Sequence, residues 1–336
     1  MQWSRPLSAL RRGIRLVTGL VKAKLGLGAA PPAPSPPPPP EISQLLTIAD
    51  FGDNPGRLGM QAYVPPSVGG RPLIVLLHGC GQDAVRFAED SGWIDLADHV
   101  RFTLLLPEQT AANNQGRCFQ WFVPRHTARD MGEAGSIASM TRHAIALFDS
   151  DPGQVFVVGL SAGGAMAAAL LAAYPDMFAA GASVAGLPVG TARSALQAMR
   201  RMASAEPDRN QDEWAAQVRH DLPTGFTGPW PRLSVWHGLA DTTVAPDNAD
   251  RLAAQWRALH RLTTPAVAEQ SLNGVRHRMW PDGTRNLVEQ WTVPNLSHAY
   301  PVGLREVTAG RFVAQARTDA TAGIARFFGL REAVDR

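Results

Sequence analysis

No acidic residue precedes Glu41 in this chain of 336 residues, whereas Arg5, Arg11, Arg12, Arg15, Lys22 and Lys24 all do. The net charge of +3 is therefore a poor guide, because setting those six aside leaves 26 basic against 29 acidic residues, a net of −3. A basic partner surface belongs to the N-terminal tail alone, and nucleic-acid binding by the rest of the chain is rejected. Cysteine is nearly absent. Cys80 and Cys118 are the only two, and neither lies in a CxxC or Cys/His cluster, so no metal site is expected. Counting alone leaves both a single disulfide and two buried thiols open. The N-terminal segment has no long apolar run either. An ordinary secretory signal needs roughly 7 to 15 uninterrupted apolar residues after a basic start, and Arg15, Lys22 and Lys24 interrupt this one. No transmembrane span is expected either. With 45% hydrophobic and 18% charged residues, the bulk of the chain has ordinary globular composition, and its length suits one large domain.

Three segments follow from what is present. In residues 1–30, Leu7, Leu10, Ile14, Val17, Val21 and Leu25 recur at three- and four-residue intervals between cations, the pattern of a basic amphipathic helix. Residues 1–28 are thus a candidate for peripheral contact with a membrane or polymer-granule surface; an accessory helix or an atypical leader is the alternative. Residues 31–40, PPAPSPPPPP, lack a backbone donor at each of their eight prolines and favour an extended linker. The catalytic domain is expected over 41–336. There, strands are predicted at 59–64, 73–77, 102–106, 154–158, 180–184, 232–236 and 287–292, and helices at 85–99, 132–148, 162–173, 247–260 and 319–328. Strands alternating with helices imply parallel pairing, and the uniformly apolar LIVLL and VFVV suit a sheet covered on both faces. Pro281, Asp282 and Gly283 predict a local hairpin.

One motif carries chemistry. Gly159-Leu160-Ser161-Ala162-Gly163 directly follows an apolar strand and directly precedes a run of small helical residues, the setting in which a serine is exposed on a strained strand-to-helix turn. A neutral hydroxyl needs a base, and the base needs a carboxylate to orient it. In an α/β-hydrolase fold the order along the chain is serine, acid, histidine. Asp241, in a loop beyond the strand at 232–236, is the preferred acid, since such groups collect at the carboxyl ends of parallel strands; Asp247, just after Pro246, reads as a helix cap. His298 is the preferred base because it sits in a loop between the last strand and the last helix, while His260 and His277 read as surface residues and His237 as one that packs or shapes the turn. The loop after the strand at 73–77 supplies the backbone amide of Cys80, which with that of Ala162 is the candidate oxyanion hole. Such chemistry calls for no cofactor.

The sequence resembles the polyhydroxybutyrate depolymerase family of esterases, which includes acetyl xylan and feruloyl esterase relatives. The resemblance rests on LLHGCGQDA at 76–84, LPEQT at 106–110, RCFQWF at 117–122, the stretch from GLSAGG at 159, VWHGLADTTVAPDNA at 235–249 and SHAYPVG at 297–303. It implies an α/β-hydrolase fold, a Ser161, Asp241, His298 triad and a disulfide between Cys80 and Cys118. Phe119, Trp121 and Tyr300 are then expected at the substrate cleft, Phe119 and Tyr300 standing where the family more usually has tryptophan.

The expected activity is hydrolysis of carboxylic esters, of a polyhydroxyalkanoate or its oligomers, through an acyl-enzyme. Acetyl xylan or feruloyl ester hydrolysis, and peptidase or thioesterase activity on the same fold, are the alternatives within enzymes. A non-catalytic granule- or membrane-surface binding protein is the alternative outside them. The family's secreted members suggest an extracellular or periplasmic location, against a cytoplasmic, granule-associated one.

Overall fold

The computed structural model describes residues 43–66, 69–219, 226–263, 265–266, 268–272, 274–304 and 310–330. The basic segment 1–30 and the proline-rich linker 31–40 lie outside them. Among the described residues the centre is a ten-stranded mixed sheet in the order β1-β2-β4-β3-β5-β6-β7-β10-β9-β8. The strands are β1 (Gln44–Thr47), β2 (Gly59–Val64), β3 (Leu73–Leu77), β4 (Thr103–Glu108), β5 (Val155–Leu160), β6 (Ala180–Val184), β7 (Arg232–Gly238), β8 (Ala268–Leu272), β9 (Val275–Asp282) and β10 (Arg285–Val293). From β4 through β10 the six inner strands run parallel, and antiparallel strands extend both edges. The chain therefore has an α/β-hydrolase architecture. A short parallel pair, β11 (Tyr300–Pro301) and β12 (Val313–Ala314), stands apart from the sheet.

Why the inner strands read as unbroken apolar runs is visible in their packing. Alternate residues enter two separate cores, so neither face tolerates a polar side chain. Leu73, Val75, Leu77, Val155 and Val157 face helices α4 (Gly132–Leu147), α5 (Ala162–Ala173) and α8 (Asp247–Leu259). Ile74, Leu76, Phe156 and Val158 face α1 (Ala84–Asp90), α2 (Trp93–Val100) and α9 (Ala320–Phe328). Each such side chain contributes roughly 1.5–3 kcal/mol when fully buried. All twelve residues of α5 are buried, and its alanines and glycines let it lie close against the strand it follows.

Three local expectations change. The single helix predicted over 85–99 is two, α1 and α2, because the Ser91 hydroxyl donates to Phe87 O at 2.5 Å and the chain turns at Gly92 before restarting. Between β6 and β7 lie two further helices beyond those expected, α6 (Ala195–Ala203) and α7 (Gln211–Arg219). Only Ala198 of α6 is buried and its Leu196 and Met199 are exposed, whereas α7 buries Trp214, Ala215 and Val218. A four-residue helix, α3 (Pro124–Thr127), follows the segment bearing Cys118. The hairpin at 281–283 is present, with β9 and β10 joined through Gly283 and Thr284.

Candidate active site

Ser161 occupies the junction of β5 and α5 at φ 57° and ψ −117°. That left-handed φ costs a residue with a Cβ about 1–3 kcal/mol, which surrounding contacts must offset. Its amide donates to Val184 O at 2.8 Å on the neighbouring strand, and its carbonyl accepts from Ala165 N at 2.9 Å. The turn is so tight that a Cβ on Gly159 would lie 2.1 Å from Gly163 O. Small residues in the motif are thus a steric condition for the serine's position.

Two loops deliver the other groups. β7 and β10 are parallel neighbours, so the loops after them leave the same edge of the sheet side by side. Leu239 N donates to Val293 O at 2.9 Å and Ala240 N to Leu296 O at 3.0 Å, zipping the loops together. Gly238 makes this possible, since a Cβ there would lie 2.1 Å from Leu296 O. The result places Asp241 Oδ2 2.7 Å from His298 Nδ1, and His298 Nε2 2.8 Å from Ser161 Oγ. Nδ1 faces a carboxylate and carries the ring proton, leaving Nε2 to accept from the serine hydroxyl. Asp241 also accepts from Thr243 N and Val244 N at 2.8 and 2.9 Å through Oδ1, and His237 Nε2 lies 3.1 Å from Oδ2. Burial alone would raise this carboxyl, but the bonds from His237, His298 and Val244 outweigh it and hold Asp241 well below the ordinary carboxylate range. Asp247, the rival acid, is exposed at the first turn of α8 and makes no capping bond.

Opposite the serine, the loop after β3 is fixed on both sides of Cys80. Gly79 N donates to Gln82 Oε1 at 2.7 Å and Gly81 N to Gly116 O at 2.8 Å. Among the described residues, neither Cys80 N–H nor Ala162 N–H has an acceptor, which leaves both free for a ligand. Cys80 and Cys118 form a disulfide with Cα atoms 4.3 Å apart. His78, pushed down to about 4 by burial, donates from Nδ1 to Gly79 O and accepts Gln109 N–H at Nε2. Buried Glu133 accepts from Gln109 Nε2 and Gln120 N, both at 2.7 Å, and burial pushes it up to about 7 against those bonds. These groups hold the Cys118 segment against the loop after β3. Reducing the bridge should lower unfolding free energy by about 2–4 kcal/mol, to be read from urea titrations with and without a phosphine reductant; coincident curves would show that the bridge adds no stability.

The sequence profile of the family described as Esterase PHB depolymerase matches residues 58–276. The chain belongs to that family. It is a carboxylic ester hydrolase on the α/β-hydrolase fold. This esterase is 35% identical to poly(3-hydroxyalkanoate) depolymerase C of Paucimonas lemoignei, over 85% of its own length and 70% of that protein's. It is 31% identical to feruloyl esterase B of Talaromyces stipitatus over 79% and 75% of the two chains. Among solved structures, an acetyl xylan esterase from Aspergillus awamori superposes with a TM-score of 0.72 at 23% identity, covering 85% of this esterase and 99% of that chain, a likeness of fold.

Of the three aromatic residues expected at the cleft, two do not line it. Phe119 and Tyr300 have no exposed surface. Because the Cys118 side chain turns toward Cys80, the next residue points inward, and the Phe119 ring lies 5.0 Å from that of His78. Tyr300 enters β11 beneath the histidine loop, where its hydroxyl accepts from Trp93 Nε1 and bonds Thr321 Oγ1, both at 3.0 Å. Trp121 is half-buried and borders a cavity of about 70 Å³ with Ala165, Ala169, Pro188, Val189 and Ala192. It also packs on Ala165, Leu187 and Val244 of the esterase, a buried apolar cluster that residue spacing did not single out. His260 and His277 are partly buried and not merely surface residues: His277 bonds Glu289 at 2.8 Å and stacks on Trp291, while His260 lies 3.2 Å from Pro231 O. Among the described residues, no group of three or more His, Cys, Asp or Glu side chains could hold a metal.

Proposed function

We propose that Ser161, His298 and Asp241 form the triad of a serine esterase acting on polyhydroxyalkanoate or its hydroxyacyl oligomers. The observation that carries this reading is the continuous chain of bonds, 2.8 Å from Ser161 to His298 and 2.7 Å from His298 to Asp241, in a member of an ester-hydrolase family. Ser161 Oγ attacks the ester carbonyl as His298 Nε2 takes its proton; the tetrahedral oxyanion receives the Cys80 and Ala162 amides. His298 then returns the proton to the departing alkoxide, leaving an acyl-serine. Water, activated by the same imidazole, attacks the acyl carbonyl and releases the acid and Ser161. Asp241 stays ionised throughout and stabilises the imidazolium.

The polyester assignment is supported by the name of the Paucimonas relative. A panel of polyhydroxybutyrate film, hydroxybutyrate trimer, acetylated xylan and methyl ferulate tests it. Turnover of trimer or film at least tenfold above the others is expected; dominance of the xylan or ferulate would transfer the assignment to those substrates. The bridge between Cys80 and Cys118 suits an oxidising compartment, and the proposed location is extracellular or periplasmic.

Residues 1–28 are proposed to contact anionic membranes or polymer granules through their basic amphipathic pattern. Deleting 1–40 should leave turnover of p-nitrophenyl butyrate within about twofold, because no group assigned to the chemistry lies there. Sedimentation with anionic vesicles or polyester granules should fall, and salt should weaken the binding of the full chain. Equal partitioning of the two forms would remove the surface-contact role.

A further inference from the structure

We propose that His237 is a positioning residue for ester hydrolysis, holding the Asp241 carboxylate in the orientation that His298 requires; this rests on the triad assignment above. His237 is in β7, paired in register with Thr292 of β10, and only 2% exposed. Its Nε2 lies 3.1 Å from Asp241 Oδ2 and 3.0 Å from Val244 O. Both neighbours are acceptors, so Nε2 carries the proton and divides it between them. Among the described residues the other ring nitrogen, Nδ1, is buried with no partner, so within them the ring's polar attachments are the acid and the backbone carbonyl of the acid's own turn.

This arrangement gives the carboxylate two anchors of different kinds. Oδ1 is fixed by the amides of Thr243 and Val244, which set where the group sits. Oδ2 is shared between two imidazoles, His298 Nδ1 at 2.7 Å and His237 Nε2 at 3.1 Å. Because both donate to one oxygen, the charge that His298 feels depends on the bond from His237. Removing that bond concentrates negative charge on His298 and frees Oδ2 to tilt. The first effect raises the affinity of His298 for a proton, and the second loosens its aim at Ser161. The ionisable groups in contact with the His237 ring, among the described residues, are Asp241 directly and His298 through it. The facing residues of the adjoining strands are Val184 opposite Trp236 on one side and Thr292 on the other, neither of which titrates.

The test uses the full chain and p-nitrophenyl butyrate. His237→Met fills similar space without a donor, and His237→Gln places an amide nitrogen near the former Nε2. For His237→Met, kcat should drop about 10- to 100-fold, the range that accompanies sub-ångström to ångström misplacement of a catalytic group, with KM within twofold. The acid limb of the kcat/KM profile should move to higher pH. His237→Gln should recover most of kcat and return the limb toward the wild-type position. Should the Met variant fail to fold, the downfield proton resonance of the His298 Nδ1–H bond is compared between wild type and His237→Gln; it should persist in both, and its loss from the Gln variant with kcat unchanged would overturn the proposal. Equal kcat losses in Met and Gln with an unmoved acid limb would reduce His237 to packing. Ser161→Ala run alongside separates the two levels: residual full turnover there overturns the triad itself, whereas abolished turnover with silent His237 variants overturns the positioning role alone.

Discussion

Ser161→Ala should lower turnover of p-nitrophenyl butyrate by about 10⁴- to 10⁶-fold while leaving the thermal unfolding midpoint within a degree or two. The magnitude is that expected when the attacking group of a serine triad is removed and only oxyanion stabilisation and binding remain. The fold should not notice, because alanine keeps the Cβ and therefore the same backbone cost at φ 57°. A paired substitution sharpens the result: Ser161→Gly abolishes the same hydroxyl but relieves the left-handed φ, so it should be more stable than the alanine variant by about 1 kcal/mol. Turnover surviving in both would remove Ser161 from the chemistry, whatever their stabilities.

Asp241→Asn should cost about 10⁴-fold in kcat, whereas Asp247→Asn should change kcat less than twofold. The side chain of residue 241 is surrounded by donors: two backbone amides and two histidine rings. An asparagine has one oxygen to offer four donors and turns its own N–H groups toward the others. His298 can then keep its bond to that residue only by presenting an unprotonated Nδ1, which moves its proton to Nε2 and removes the acceptor for Ser161. Asp247 is exposed at the start of α8, where losing its charge forfeits about 0.3–1 kcal/mol of helix-dipole stabilisation and nothing else. Steady-state kinetics on both variants, with circular dichroism as control, decide the matter; a severe Asp247 and a mild Asp241 phenotype would reverse the assignment.

The proximity of these side chains was readable before any coordinates because it follows from topology. Ser161, Asp241 and His298 come after β5, β7 and β10, parallel strands whose carboxyl ends face one way. The apolar runs of β3 and β5 announced a sheet buried on both faces for the same reason: a strand between two cores has no solvent-facing position to mark with a polar residue. Facing direction was harder. Phe119 directly follows Cys118 and Tyr300 lies two positions after His298, and nothing in residue order says that the disulfide turns the side chain after Cys118 inward or that Tyr300 packs beneath the histidine loop. His237 reads from the sequence as a packing or turn-shaping residue, although its place four positions before Asp241 at a strand end is a signal that the sequence carries. The helix α6 buries Ala198 alone and leaves Leu196 and Met199 exposed, so its apolar residues do not mark a core-facing side, whereas α7 buries Trp214, Ala215 and Val218 at a helical spacing that the sequence does carry.

The zipping of the loops after β7 and β10 has a consequence for how this protein could be altered. Residues 238–241 and 293–298 are locked by backbone bonds and by the absence of a side chain at Gly238, so the acid and the base travel as one cassette against the serine. Substrate range can then be redesigned through residues outside it, such as half-buried Trp121 and the cavity it borders, without re-solving the proton relay each time. Remodelling on that side leaves the cassette's register intact, and a library built there should retain hydrolytic competence at a far higher frequency than one that touches Gly238.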